Sequence, residues 1–206
     1  MADLWREEGI TPHSFMLRVI MGRCQAQLGD AGAGIAEIQA ALRWADEVDY
    51  RVMVHAVTLY LAQAQLAARK WEAGMVTAVK AQKLAEEAGD VWATAVSLRT
   101  QAETGMRLPR PDWLTIEGQL IRARDQLRQI RARPDLARVY LTLRRLYDRA
   151  GQMAWAVDCH FRAVTIFEEL GMDEERRQAQ GQAAGERTGA VVISGLELRG
   201  PNLPSE

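Results

Sequence analysis

Three arginines, Arg138, Arg145 and Arg149, are the residues of this 206-residue chain whose type and spacing best suit ligand binding. Spacings of seven and four place them on one face of a helix, over about 16 Å at 1.5 Å per residue. Guanidinium groups pair bidentately with carboxylates, so this arginine stripe would suit an acidic peptide. The alternative is a solvated helix face that is partly paired with Asp135 and Asp148.

Residues suited to catalysis are few and do not combine. Cys159 and His160 are adjacent, and neighbours on a helix point about 100° apart, so they do not form a nucleophile and its base. Acidic pairs such as Glu86 and Glu87 have no histidine partner, and the chain has no GxxxxGK[ST], GxGxxG or HExxH motif. With Cys24 as the only other cysteine, neither a disulfide framework nor a thiolate metal site is expected. We therefore predict no enzyme, no cofactor and no metal.

The charge of the chain is balanced overall and uneven locally. The formal net charge is −1, so no global field draws the chain towards nucleic acid or membrane. Residues 107–149 carry 11 basic and 5 acidic residues, including Arg124, Arg128 and Arg131 on one predicted helix face. This face lacks the interleaved aromatics that nucleic-acid binding needs.

The N-terminus has no signal-peptide pattern and no apolar run approaches a membrane span, so we expect a cytoplasmic protein.

Apolar residues three and four apart, interrupted by Gly, Pro or Asp, predict nine helices. The first four run from Pro12 to about Leu28, from about Ala33 to Val48, from Asp49 as the N-cap to about Ala68, and from about Trp71 to about Ala88. The other five run from Asp90 to about Leu108, from Asp112 to about Ala132, from Pro134 to Gly151, from Gly151 to Leu170, and from Asp173 to about Gly185. Connections of two to five residues make neighbouring helices antiparallel, so the units are helical hairpins. We predict an N-terminal extension (1–11), a helical repeat domain (12–187) and an extended, flexible tail (188–206).

A pattern of small residues and helix stops recurs about every forty residues. LGDAGAGIAEIQAALRWADE, ARKWEAGMVTAVKAQKLAEEAGD and RAGQMAWAVDCHFRAVTIFEELG are its three clearest copies. A fixed period in this range is typical of stacked helical pairs, which bury their apolar stripes against one another. The polar last helix is suited to cap such a stack. The sequence thus predicts an all-α solenoid of about four hairpins plus a C-terminal capping helix.

The repeat resembles the tetratricopeptide family. Its clearest unit combines Tyr140, the helix stop Gly151, and Ala156 and Ala163, whose spacing of seven puts two small residues on one face. The period is longer than the usual 34 residues, which leaves armadillo or HEAT-type repeats as an alternative. The stretched units are also similar to helical arrays of bacterial signalling proteins. The resemblance implies a right-handed solenoid with a concave groove lined by the first helix of each pair.

Through this resemblance, the groove is expected to receive a peptide or a partner protein. The groove residues that match are Met16, Val19, Arg23, Leu59, Gln63 and Leu66 at the apolar end, and Arg138, Leu141, Arg145 and Arg149 at the basic end. We expect a scaffold or adaptor whose partner is a protein or peptide. The arginines would favour an acidic partner. The alternatives are a sensor module that binds a small ligand or signalling peptide, and a self-associating module.

The last residues of the chain differ in character from the helices. They contain the apolar stretch VVISGLEL in an otherwise polar, proline-containing tail. Such a stretch is suited to fold back into the groove, or to enter that of a second copy. Removing residues 189–206 is then expected to raise partner affinity or to change the oligomeric state.

Overall fold

The computed structural model describes the backbone of residues 12–186 and 198–200, and all regular secondary structure in that part of the chain is helical. The helices are α1 (Pro12–Gln27), α2 (Ala31–Glu47), α3 (Val54–Ala67), α4 (Trp71–Glu87), α5 (Val91–Gly105), α6 (Trp113–Gln129), α7 (Arg133–Arg149), α8 (Met153–Glu169) and α9 (Asp173–Glu186). The prediction of nine helices and an all-α fold is thereby confirmed for these residues. The predicted extension and most of the predicted tail lie outside them. None of the described helices is both long enough and apolar enough to cross a membrane.

Seven of the helices end in the same way. A residue with positive φ follows the helix, and the N–H of the next residue donates to the carbonyl five positions earlier, which satisfies carbonyls that the helix leaves open. The residues with positive φ at these ends are Gly29, Asp49, Arg69, Gly89, Arg131, Gly151 and Gly171. They are spaced by 20 residues within each of two runs, 29 to 89 and 131 to 171. Helices of 14 to 17 residues joined by short turns therefore form a series of antiparallel hairpins.

The start of α3 departs from the sequence prediction. Asp49 was expected to cap this helix, but it adopts φ 52° and ends α2, with the N–H of Tyr50 donating to the carbonyl of Ala45 at 2.7 Å. The guanidinium of Arg51 then binds Asp49 at 2.7 Å. Helix α3 begins only at Val54, so the prediction of a cap at Asp49 was wrong.

The chain divides into two compact units, Met1–Thr104 and Gly105–Glu206. In the first unit, α1 packs against both α2 and α3, and α3 packs against α4. Phe15 on α1 lies at the centre of an aromatic group, with ring centroids 5.2 Å from Trp44 and 5.8 Å from Tyr50. A second core cluster consists of Leu59, Ala81, Ala85, Ala93 and Val96.

The backbones of α1 and α2 touch where two glycines face each other. A Cβ atom placed on Gly34 would lie 2.1 Å from the carbonyl oxygen of Gly22 and 2.8 Å from the nitrogen of Ala26. Both distances are below 3.0 Å, which real Cβ atoms essentially never show, so a side chain at Gly34 would force the two helices apart. The first hairpin consequently depends on the absence of a side chain at this position.

In the second unit, α7 packs against α6 and α8, and α8 packs against α9. The small residues Ala156 and Ala163 of α8 are buried as the repeat pattern predicts. The largest enclosed side chain is Tyr147 of α7, whose ring meets Trp155 edge to face with centroids 5.4 Å apart. The three helices α6, α7 and α8 therefore share a core to which each contributes.

Candidate functional site

The arginine stripe lies on α7, and its first member is engaged within the second unit. The guanidinium of Arg138 donates to Asp135 at 2.9 Å and lies 3.5 Å from the carboxylate of Glu175 on α9. The pairing with Asp135 is the one that the sequence offered as the alternative to partner binding. An acidic ligand at Arg138 would therefore compete with two carboxylates of the same unit.

The other two arginines of the stripe also donate to groups of their own unit. Arg145 donates to the carbonyl of Leu141 at 3.4 Å and to the hydroxyl of Thr142 at 3.3 Å. Arg149 donates to the carbonyl of Met106 at 3.0 Å, beyond the end of α5. Leu141 is half-buried beside them. The shared helix face was predicted correctly, and its use by a partner stays a prediction.

The apolar groove residues belong to the first unit, where the structure divides them into two kinds. Val19 and Leu59 are both 0% exposed and form part of the core. Their side chains present no surface to a partner, because the spacing that assigned them to a groove is also the spacing of residues that pack inwards. The remaining four are partly buried, and they are Met16, Arg23, Gln63 and Leu66. Arg23 packs its guanidinium 5.1 Å from the ring centroid of Tyr60, a cation–π contact.

An open pocket of about 260 Å³ lies between α7 and α8 in the second unit. Its apolar wall is formed by Leu136, Tyr140, Phe161 and Ile166. Such a mixture of aliphatic and aromatic side chains is typical of cavities that accept an apolar group. The volume is at the lower end of ligand pockets, which suits one or two side chains of a partner better than a whole cofactor.

Two ion pairs form the rim of this pocket. Arg162 binds Asp158 at 2.9 Å along α8, and Arg133 at the start of α7 binds Glu169 near the end of α8. Each pair is partly exposed, so each is screened by solvent and contributes little to stability. Both pairs offer charged hydrogen-bonding groups to whatever enters the pocket.

An exposed apolar row on α8 leads to the pocket. Met153, Val157 and Phe161 follow one another at intervals of four residues and are 49%, 54% and 68% exposed. We call these three residues the α8 stripe. Large apolar side chains standing in a row on a surface commonly mark an interaction site. The α8 stripe was not among the predicted site residues, although its spacing is visible in the sequence as a second apolar row besides the buried one.

His55 and Cys159 carry side chains of types that bind metals or act as nucleophiles, and the structure places one in a hydrogen bond and the other in the core. The described residues contain no group of three or more His, Cys, Asp and Glu side chains placed to hold a metal ion. His55 pairs with Asp90 at 3.0 Å, and Asp90 also caps α5 by accepting from the N–H of Ala93. Cys159 is fully buried, and burial raises the pKa of its thiol to about 12. Near neutral pH this enclosed thiol is protonated, and a protonated thiol is a poor nucleophile.

The raised pKa of Cys159 makes stability depend on pH. Below about pH 9 the thiol is protonated in both the folded and the unfolded chain. Above it the unfolded chain releases a proton that the folded chain keeps, so stability is lost as the pH rises towards 12. We expect this one group to cost about 1 to 2 kcal/mol at about pH 10. Urea unfolding gives the free energy of unfolding of wild type and of Cys159→Ala at about pH 7 and about pH 10. The contribution of Cys159 is the loss between the two pH values in wild type minus the loss in the variant. An equal pH dependence of the two proteins would contradict it.

Comparison with known proteins gives no assignment. No protein-family model matches this chain, and a search of curated proteins finds no relative of it. The residues and geometry described above are therefore the basis for a functional proposal.

Proposed function

We propose that this chain is a non-enzymatic interaction module of the tetratricopeptide type, a right-handed solenoid that acts as a scaffold or adaptor for a peptide or partner protein. The regular 20-residue spacing of the helix ends supports the repeat character. So do the buried small residues Ala156 and Ala163 at corresponding positions of one helix face. Two free cysteines, one of them buried, suit a reducing compartment such as the cytoplasm.

The α8 stripe is the observation that carries this proposal. Its side chains remain in water at an energetic cost that a partner would remove by covering them, because burial of apolar surface is worth about 25 cal/mol per Å². The stripe leads into the pocket between α7 and α8, which has room for an apolar side chain. The partner that fits best is an amphipathic segment that lays apolar residues along α8 and inserts one of them beside Phe161.

This surface differs from the groove that the sequence resemblance implied. The predicted groove uses first helices of the hairpins, whereas the α8 stripe lies on the second helix of its hairpin. The arginine stripe on α7 remains a second candidate contact for an acidic segment. At Arg138 such a segment would compete with the carboxylates of Asp135 and Glu175.

Charge introduced into the α8 stripe is expected to abolish partner binding. Val157→Asp/Phe161→Asp places two carboxylates on the surface that the partner would cover, and burying them unpaired is strongly unfavourable. Partners captured from an extract of the source cell by the intact chain would be purified and titrated against both proteins. We expect affinity to fall at least about tenfold, which corresponds to about 1.4 kcal/mol.

A matched control separates the stripe from general surface effects. Val76 on α4 is 71% exposed, so Val76→Asp changes an equally exposed apolar residue in the first unit and is expected to leave affinity unchanged. Arg138→Glu/Arg145→Glu/Arg149→Glu tests the arginine stripe in the same titration, with circular dichroism to show that each variant is folded. Binding that survives in the double Asp variant would contradict the proposal. Concentration-dependent sedimentation of wild type that the double variant loses would favour self-association instead.

A further inference from the structure

Glu117 of α6 is a buried carboxylate in the second unit that is separate from the α8 stripe. Its side chain is enclosed, with 1% of the residue exposed. The hydroxyl of Tyr147 on α7 donates to Oε1 at 3.1 Å. A buried carboxylate needs several donors to offset the loss of water, and one neutral hydroxyl is not sufficient for two oxygens.

The remaining donors come from the main chain near the C-terminus. The N–H of Arg199 donates to Oε2 of Glu117 at 2.9 Å, and the N–H of Gly200 donates to Oε1 at 3.0 Å. Leu198, directly before them, is buried, while the side chain of Arg199 is exposed. The carboxylate of Glu117 thus accepts hydrogen bonds from two consecutive backbone amides. These amides belong to a non-helical segment that lies more than 80 residues away in the sequence.

The position of Gly200 accepts only glycine. Its φ is +84°, and a Cβ atom there would lie 2.6 Å from two carbon atoms of the Trp155 ring. The ring of Trp155 is itself held by its contact with Tyr147. The segment is therefore selected at two positions, by an apolar side chain at 198 and by glycine at 200, with an unrestricted residue between them.

We propose that Glu117, Tyr147 and Trp155 form a binding site for peptide segments with an apolar residue two positions before a glycine, and that Leu198–Gly200 occupies it as an internal ligand. A partner that carries the same pattern would bind by displacing this segment. The walls of the site belong to α6, α7 and α8, and the hydrogen bonds go to main-chain groups that any such segment offers. An empty site would leave Glu117 with too few donors, so exchange of one occupant for another is favoured over simple release.

The test uses the full-length chain and a fluorescent peptide with its own sequence, GLELRGPNL, corresponding to residues 195–203. Leu198→Asp/Gly200→Ala removes both selected features from the internal segment and vacates the site. The apparent affinity for the peptide is the intrinsic affinity multiplied by the fraction of chains whose site is free of the internal segment. We therefore expect the vacated variant to bind the peptide at least about tenfold more tightly than wild type does. Fluorescence anisotropy measures both affinities.

Two controls test the unrestricted position 199 and the glycine position 200. Arg199→Ala keeps the backbone amide and changes only an exposed side chain, so it is expected to bind the peptide as weakly as wild type does. The peptide GLELRAPNL, with alanine in place of the glycine, is expected not to bind the vacated variant. In wild type labelled with ¹⁵N, excess GLELRGPNL is expected to shift the amide resonances of Arg199 and Gly200.

Several results would overturn the proposal. They are equal affinity of wild type and the vacated variant, no binding to the vacated variant while circular dichroism shows it folded, and equal binding of the alanine peptide. A wild-type dimer that the vacated variant does not form would overturn the assignment of an internal ligand, because the segment would then come from a second copy.

Discussion

Replacing Gly34 by alanine is expected to lower the free energy of unfolding of the first unit by about 3 kcal/mol or more. The added methyl would lie 2.1 Å from the carbonyl oxygen of Gly22. That oxygen and the Cα atom that carries the methyl both belong to helix backbone. Overpacking against a side chain typically costs about 1 to 3 kcal/mol, and here no flexible side chain is available to give way. Helices α1 and α2 must separate, which also opens the packing of Phe15 against Trp44. Urea unfolding, together with hydrogen exchange of peptides from α1 and α2, measures the loss.

Gly32 provides the matched control for this prediction. It lies on the same helix two residues earlier, and a Cβ atom there would meet nothing within 4 Å. Gly32→Ala is therefore expected to be neutral or to stabilise by up to about 1 kcal/mol, since alanine is the better helix former. A Gly34→Ala protein whose stability equals that of Gly32→Ala would show that α1 and α2 do not touch in solution.

Replacing Tyr147 by alanine is expected to destabilise the second unit by about 3 to 5 kcal/mol. Tyr147 is the largest fully buried side chain among the residues that the structure describes, so its loss leaves a cavity beside Trp155. The same change removes the hydroxyl that donates to the buried carboxylate of Glu117. Hydrogen exchange of peptides from α6, α7 and α8 is expected to show the loss of protection, and urea unfolding its size.

Tyr147→Phe separates the ring from the hydroxyl. It keeps the packing and removes one hydrogen bond to a buried acceptor, so the expected cost is only about 1 to 3 kcal/mol. Burial, followed by the charge of Glu117, raises the pKa of Tyr147 above its ordinary value, so the hydroxyl remains a donor at any pH where the fold is studied. If the phenylalanine variant is as unstable as the alanine variant, removal of the ring costs no stability of its own. The assignment of the Tyr147 ring to the core would then be wrong.

The helices were predictable because their determinants are local. Apolar spacing and helix stops act within a few residues, and the stops Gly29, Gly89, Gly151 and Gly171 all have positive φ in the structure. Asp49 was misassigned because aspartate is typical both of helix starts and of left-handed turns. Its neighbours Tyr50 and Arg51 stabilise the second of these conformations through contacts that the sequence pattern does not reveal.

The candidate sites were predictable only as helix faces. The spacing of Arg138, Arg145 and Arg149 correctly places them along α7. The contacts of Arg138 with Glu175 on α9, and of Arg149 with the carbonyl of Met106 after α5, depend on parts of the chain that are distant in sequence. Likewise, apolar periodicity cannot distinguish an exposed residue such as Phe161 from a core residue such as Leu59. Which of the two becomes exposed is decided by the neighbouring helices.

Sequence alone determined the nine helices of the described residues, the glycine stops between them and the repeat of small residues, because these follow from interactions within one or two helical turns. Tertiary structure decided what those small residues do. Gly34 and Gly74 hold the same place in the repeat, yet a methyl on Gly74 would find ordinary contacts at 3.7 Å while one on Gly34 would meet backbone. It also decided that Glu117 binds Arg199 and Gly200, since no local pattern records a contact between residues so far apart. The distance between packed helices and the long-range hydrogen bonds both depend on how all the helices of a unit pack together. For that reason only the tertiary structure revealed them.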